Sequence, residues 1–78
     1  MSQENLHPAT QELLGHFEYG HLPQYLQTVS MYFRDTAETM VTNLGEGPET
    51  SAGLRKLLEA KDCFVRQAVK KMKEHDAQ

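Results

Sequence analysis

Apolar residues recur every three or four positions in three stretches of this chain, and proline and glycine separate the stretches. Ala9, Leu13, Leu14 and Phe17 repeat at helical spacing behind His7-Pro8, and Pro8 suits a first helical turn because its missing N–H has no intrahelical partner there. The expectation is a short helix of about ten residues, weakened by Gly15 and stopped by Gly20, which depends on the rest of the protein to hold it. Pro23 opens a second helix over about 23–43. In it Leu22, Leu26, Val29, Phe33, Ala37, Met40 and Leu44 stay within about 40° of Phe33 on a helical wheel, so one face is apolar. Asn43-Leu44-Gly45-Glu46-Gly47-Pro48 is the break, with two glycines free to take positive φ and Pro48 ready to begin the next helix.

The third helix is expected over about 48–73, with Leu54, Leu57, Leu58, Phe64, Val65, Ala68, Val69 and Met72 on its stripe. Glu49 at its start and Lys70, Lys71 and Lys73 at its end follow the helix dipole. No strand pattern, repeat or low-complexity tract interrupts this plan. The fold class is therefore all-α: a short N-terminal helix followed by a long antiparallel helical hairpin, with residues 1–7 a flexible arm, 8–74 the domain and 75–78 a flexible tail. Two stripes can cover each other, but Tyr25, Tyr32, Val41, Leu57, Phe64 and Val69 flank that contact, so the reading includes a homo-oligomer.

Composition narrows the function classes. At 78 residues the chain is one small domain, and 38% hydrophobic with 24% charged residues is the balance of a folded protein. Eight basic against 11 acidic residues leave a net charge of -3, which disfavours binding to a DNA or RNA duplex. No apolar run approaches the roughly 20 residues that cross a bilayer, so no membrane partner is expected. The polar start Met1-Ser2-Gln3-Glu4-Asn5 is unlike a signal peptide and Cys63 is a lone thiol, so the expected location is cytoplasmic.

Catalytic chemistry finds little support. His7, His16, His21, Cys63 and His75 lack the spacing of a structural metal site, and no cofactor motif is present. Gly45-Glu46-Gly47-Pro48 resembles a phosphate loop only superficially, because no strand precedes it and Pro48 removes an amide; Glu46 and Glu49 read as solvated or capping charges. Lys61 is the anomaly: it sits at the centre of the third helix's apolar stripe, where an ammonium must find a partner or an exit. It pairs with an acidic neighbour such as Asp35, Glu38 or Glu59 or snorkels along the flank, it lines an anion pocket, or a kink displaces it from the stripe. The bend Phe17-Glu18-Tyr19-Gly20-His21-Leu22-Pro23 makes Tyr19 either a plug between the short helix and the hairpin or a stacking surface. Arg34 lies about 100° from the apolar centre of the second helix, where a guanidinium can line a groove shared with another subunit and hold a phosphate.

In this bend, in His7-Pro8 and most strongly in Ala52-Gly53-Leu54-Arg55-Lys56-Leu57-Leu58-Glu59-Ala60-Lys61-Asp62-Cys63-Phe64-Val65-Arg66, the chain resembles a phage anti-defence family. Members of that small helical-hairpin family act as sponges for cyclic nucleotide signals of the bacterial CBASS and Thoeris systems. The resemblance covers about residues 7–70. It implies a homo-oligomer, with a hexamer the favoured count, that holds cyclic dinucleotides between subunits. It implies that Tyr19 stacks on a base, that Arg34 meets phosphate and that Arg66 is the nearest match to a further basic contact; Lys61, from its place on the apolar stripe, is a fourth candidate ligand residue. The chain departs from the family in carrying Arg34 where some relatives have Lys, and in its extra Gly-Glu-Gly-Pro turn. The function implied is noncatalytic sequestration of a cyclic dinucleotide, or of a cyclic trinucleotide or ADP-ribose-type signal, in the bacterial host cytoplasm. The alternative is a structural or protein-interaction helical module with no nucleotide ligand.

Overall fold

A computed structural model describes residues 6–77, with side chains through residue 74. Three helices make up the described chain: α1 over Pro8–Gly15, α2 over Gln24–Leu44 and α3 over Pro48–Ala77. Each starts where a proline stands. Pro8 and Pro48 are first residues of their helices, and Pro23 is the N-cap of α2 with extended φ and ψ of -55° and 152°. Gly45 ends α2 with φ +74°, and its N–H reaches the Val41 carbonyl at 2.9 Å. Of the two turn glycines, only Gly45 needs the left-handed region.

α2 and α3 form the expected antiparallel hairpin, closed by residues 45–47. At 30 residues α3 is about 45 Å long. It accounts for most of the molecule's 48 Å long axis. Because α2 has only 21 residues, the end of α3 runs past it. The helix continues to Ala77, into the segment expected to be a tail.

α1 lies against the closed half of the hairpin, where Leu6, Leu14 and Phe17 join Ala37, Val41 and Leu54 in one buried cluster, with Leu13, Phe33, Leu57 and Leu58 packed around it. This corrects one expectation. Leu6, assigned to the flexible arm, is in the core, while residues 1–5 of that arm lie outside the described residues. Of the residues that flank the two-stripe contact, Val41 is buried in the cluster that the short helix joins. Burying a Leu or Phe side chain is worth about 1.5–3 kcal/mol, so Leu6, Leu14 and Phe17 do more to hold this eight-residue helix than its own propensity does.

The far half of the hairpin lacks a third layer. Tyr32 is 65% exposed and Phe64 57%, although Phe64 stacks on Phe33 with ring centroids 5.8 Å apart. Met31 is exposed there as well, and near the closed end Met40 and Leu44 are exposed beside Gly53, Leu54 and Leu57 of α3. An open apolar groove between α2 and α3 is lined by Val29, Tyr32, Phe33, Phe64 and Ala68.

Candidate functional site

The bend between α1 and α2 is fastened at three points, two by residues distant in the chain and one by the first turn of α2. After Gly15 the chain tightens: the N–H groups of His16, Phe17 and Glu18 donate to carbonyls three residues back, at 3.0–3.2 Å. That twist drives Phe17 inward until it is 0% exposed, and Phe17 is thereby the plug between short helix and hairpin. Tyr19, the other residue weighed for that role, remains half-buried and keeps part of its ring at the surface.

Lys61 fastens the start of the bend. It is 9% exposed, and its Nζ donates to the His16 carbonyl oxygen at 2.8 Å while standing 5.9 Å from the centroid of the Phe17 ring. Asp62, its neighbour in sequence, is 3.8 Å away. The ammonium thus sits at the C-terminal end of α1, where the dipole and an unused carbonyl favour a cation. The nearer partner is main-chain, and the acidic neighbour that Lys61 approaches is Asp62 instead of Asp35, Glu38 or Glu59.

Arg34 fastens the middle. Its Nη1 meets Glu18 Oε1 at 2.6 Å, and its Nε and Nη2 both meet Glu38 Oε1 at 2.5 Å. Burial works against the charge of this guanidinium, but the bonds from Glu38 and Glu18 outweigh it and hold the group above its usual range. At the end of the bend, Gln27 Nε2 donates to the Leu22 carbonyl at 2.7 Å.

The four candidate residues therefore divide. Arg34 binds Glu18, the residue that precedes Tyr19 in the chain, so it holds the bend on which Tyr19 stands. Lys61 anchors the same bend from α3. Arg66 is exposed on α3, about 140° around the helix from Lys61, and its Nη2 donates to Cys63 Sγ at 3.3 Å. Cys63 is a free, exposed thiol.

A second fastening was missed in the sequence. Glu46, in the hairpin turn, accepts from the backbone N–H of His7 at 3.1 and 3.2 Å and from the buried Thr10 hydroxyl at 2.7 Å. His7 in turn is the N-cap of α1, with Nδ1 accepting from the Ala9 N–H at 3.1 Å. The bond from Thr10 and then that from His7 hold the Glu46 carboxyl below the usual glutamate range. Glu46 is thus a capping charge, as read, but it caps α1 from 39 residues away instead of the adjacent α3. Ser30 was also missed: it is fully buried in α2, and its hydroxyl has no hydrogen-bond partner among the described residues.

Among the described residues no cluster of three or more His, Cys, Asp or Glu could hold a metal, and no helix is long and apolar enough to cross a membrane. His75 lies outside the side chains described. Comparison of the chain with protein-family models, curated proteins and solved structures gives no match.

Proposed function

We propose that this protein is a noncatalytic, homo-oligomeric sponge that binds a cyclic nucleotide signal, a cyclic dinucleotide foremost, and so counters a bacterial anti-phage defence. The observation that carries the reading is the Glu18–Arg34 contact, which sets the aromatic bend bearing Tyr19 against the one arginine of α2. A stacking ring and a guanidinium on adjoining elements are complementary means of holding a base and its phosphate. Sequestration asks for affinity and not turnover, so a stacking ring and a charged donor are the groups it needs.

Exposed Tyr32 and Phe64 on the far half of the hairpin, with exposed Met40 and Leu44 near its closed end, support assembly from several copies, because two helices and a short third leave this apolar surface uncovered. A homo-oligomer covers that surface by symmetry, and the family resemblance favours six copies. The same face is what a helical interaction module with another protein partner would show, and that is the second reading. Calorimetric titration with a cyclic dinucleotide, a cyclic trinucleotide and an ADP-ribose derivative, together with light scattering, tests both. Binding below about 100 μM by a multimer supports the sponge, since such a Kd corresponds to roughly 5.5 kcal/mol of binding free energy. A particle of 8.9 kDa at micromolar concentration overturns the oligomer, and absence of binding leaves the interaction module as the better account.

A further inference from the structure

Arg34 is held by carboxylates from two different elements, and they are not equivalent. Glu38 stands one turn along α2, so it moves with Arg34 and occupies the Nε and Nη2 edge. Glu18 comes from the bend, is 57% exposed, and meets only Nη1. Arg34 itself is only 18% exposed, but on the Glu18 side the pair is screened by water and must order a free side chain, so it opens more readily than the Glu38 contact. A phosphate approaching Arg34 needs N–H groups that point outward, and the Nη1 group is the one whose carboxylate can swing away without disturbing α2.

We propose that Glu18 is an internal competitor for the ligand's phosphate: it occupies Arg34 in the free protein and gives up Nη1 when a cyclic nucleotide binds. This rests on the sequestration reading above. Because Glu18 and Tyr19 are consecutive, its release also frees the stretch of backbone that carries the stacking ring, so phosphate and base contacts form together. The measured affinity is then the intrinsic one reduced by the fraction of molecules in which Glu18 has opened.

The test is calorimetric titration of wild type, Glu18→Gln and Asp35→Asn with cyclic di-AMP and cyclic GMP-AMP at one salt concentration, after circular dichroism and light scattering show the same fold and mass. Asp35 is exposed and next to Arg34 in sequence, so Asp35→Asn removes the same charge without opening the Glu18 contact. Glu18→Gln is expected to bind about two- to fivefold more tightly than wild type, the range an exposed pair allows, and Asp35→Asn to gain less. If Glu18→Gln loses its fold, Glu18→Asp, which keeps the charge and shortens the reach, takes its place with the same expectation. Wild type that binds, with a Glu18 variant no tighter than Asp35→Asn, overturns the competitor and leaves sequestration standing. Binding by neither wild type nor variant overturns both, whereas binding by the variant alone supports the competitor and overturns sequestration by the wild-type protein.

Discussion

Replacing Lys61 with Met is the sharpest test of how the bend is held. Met keeps nearly the same length and helix preference, so what changes is the ammonium. Three interactions go with it: the 2.8 Å bond to the His16 carbonyl, the contact above the Phe17 ring and the 3.8 Å approach to Asp62, which is half exposed and contributes least. A hydrogen bond from a charged donor contributes about 1.5–3 kcal/mol, and a largely desolvated cation over an aromatic face adds about 0.5–2 kcal/mol. Against these stands the cost of keeping an ammonium 9% exposed, which Met relieves. The expected net loss is about 1–2.5 kcal/mol, well above the roughly 0.5 kcal/mol of an ordinary surface change. At about 4–8 °C per kcal/mol for a domain of this size, Tm should fall by roughly 5–15 °C. Thermal and urea unfolding followed by circular dichroism at matched protein concentration would measure it, with exposed Lys56→Met as the control. Hydrogen exchange should show the loss first in α1 and the bend. Unchanged Tm together with unchanged α1 protection would refute the claim that Lys61 fastens the short helix.

Other consequences are open to measurement. Glu46 titrates below its ordinary range because the folded state hydrogen-bonds its ionised form, so its stabilisation is present above the unfolded pKa and is lost as pH falls through the lowered folded value. Exchange protection in α1 should weaken over that acid interval in wild type, and Glu46→Gln should remove this pH dependence; an identical acid profile in both would contradict it. Ser30→Ala removes a buried hydroxyl without a partner, so urea unfolding should show stability unchanged or raised by up to about 1 kcal/mol, and a marked loss would mean the hydroxyl does have a use. Tyr19→Ala should weaken cyclic nucleotide binding by about 1–3 kcal/mol with little change in salt sensitivity. Arg34→Ala should weaken binding and flatten its salt dependence, and equal salt slopes for wild type and Arg34→Ala would count against a phosphate contact.

Both ends of α1 carry the charge its dipole favours, and neither charge belongs to the helix itself. Glu46 at the N-terminus comes from the hairpin turn, and Lys61 at the C-terminus comes from α3. An eight-residue helix would be marginal by itself, and these two contacts, with Leu6, Leu14 and Phe17 beneath, fix its place on the hairpin. The same contacts orient the bend in which Tyr19 sits.

The helices themselves are legible in the sequence because their causes are local. Pro8, Pro23 and Pro48 set the starts, Gly45 ends α2, and period-3.6 stripes choose the faces; all of this acts within a few residues. Lys61 is legible as an anomaly for the same reason, since the wheel alone places it among apolar neighbours. Its partner is not legible: every residue has a carbonyl, so nothing in the identity of His16 marks it as the acceptor. Arg34 and Glu38 follow from i,i+4 spacing, but Glu18 reaches Arg34 only because the bend returns the chain across α2. Likewise Leu6 and Val41 are buried, and Phe17 rather than Tyr19 fills the junction, because of where α1 docks. Docking is a sum of contacts between residues far apart in the chain, and local periodicity carries no record of which distant surfaces meet.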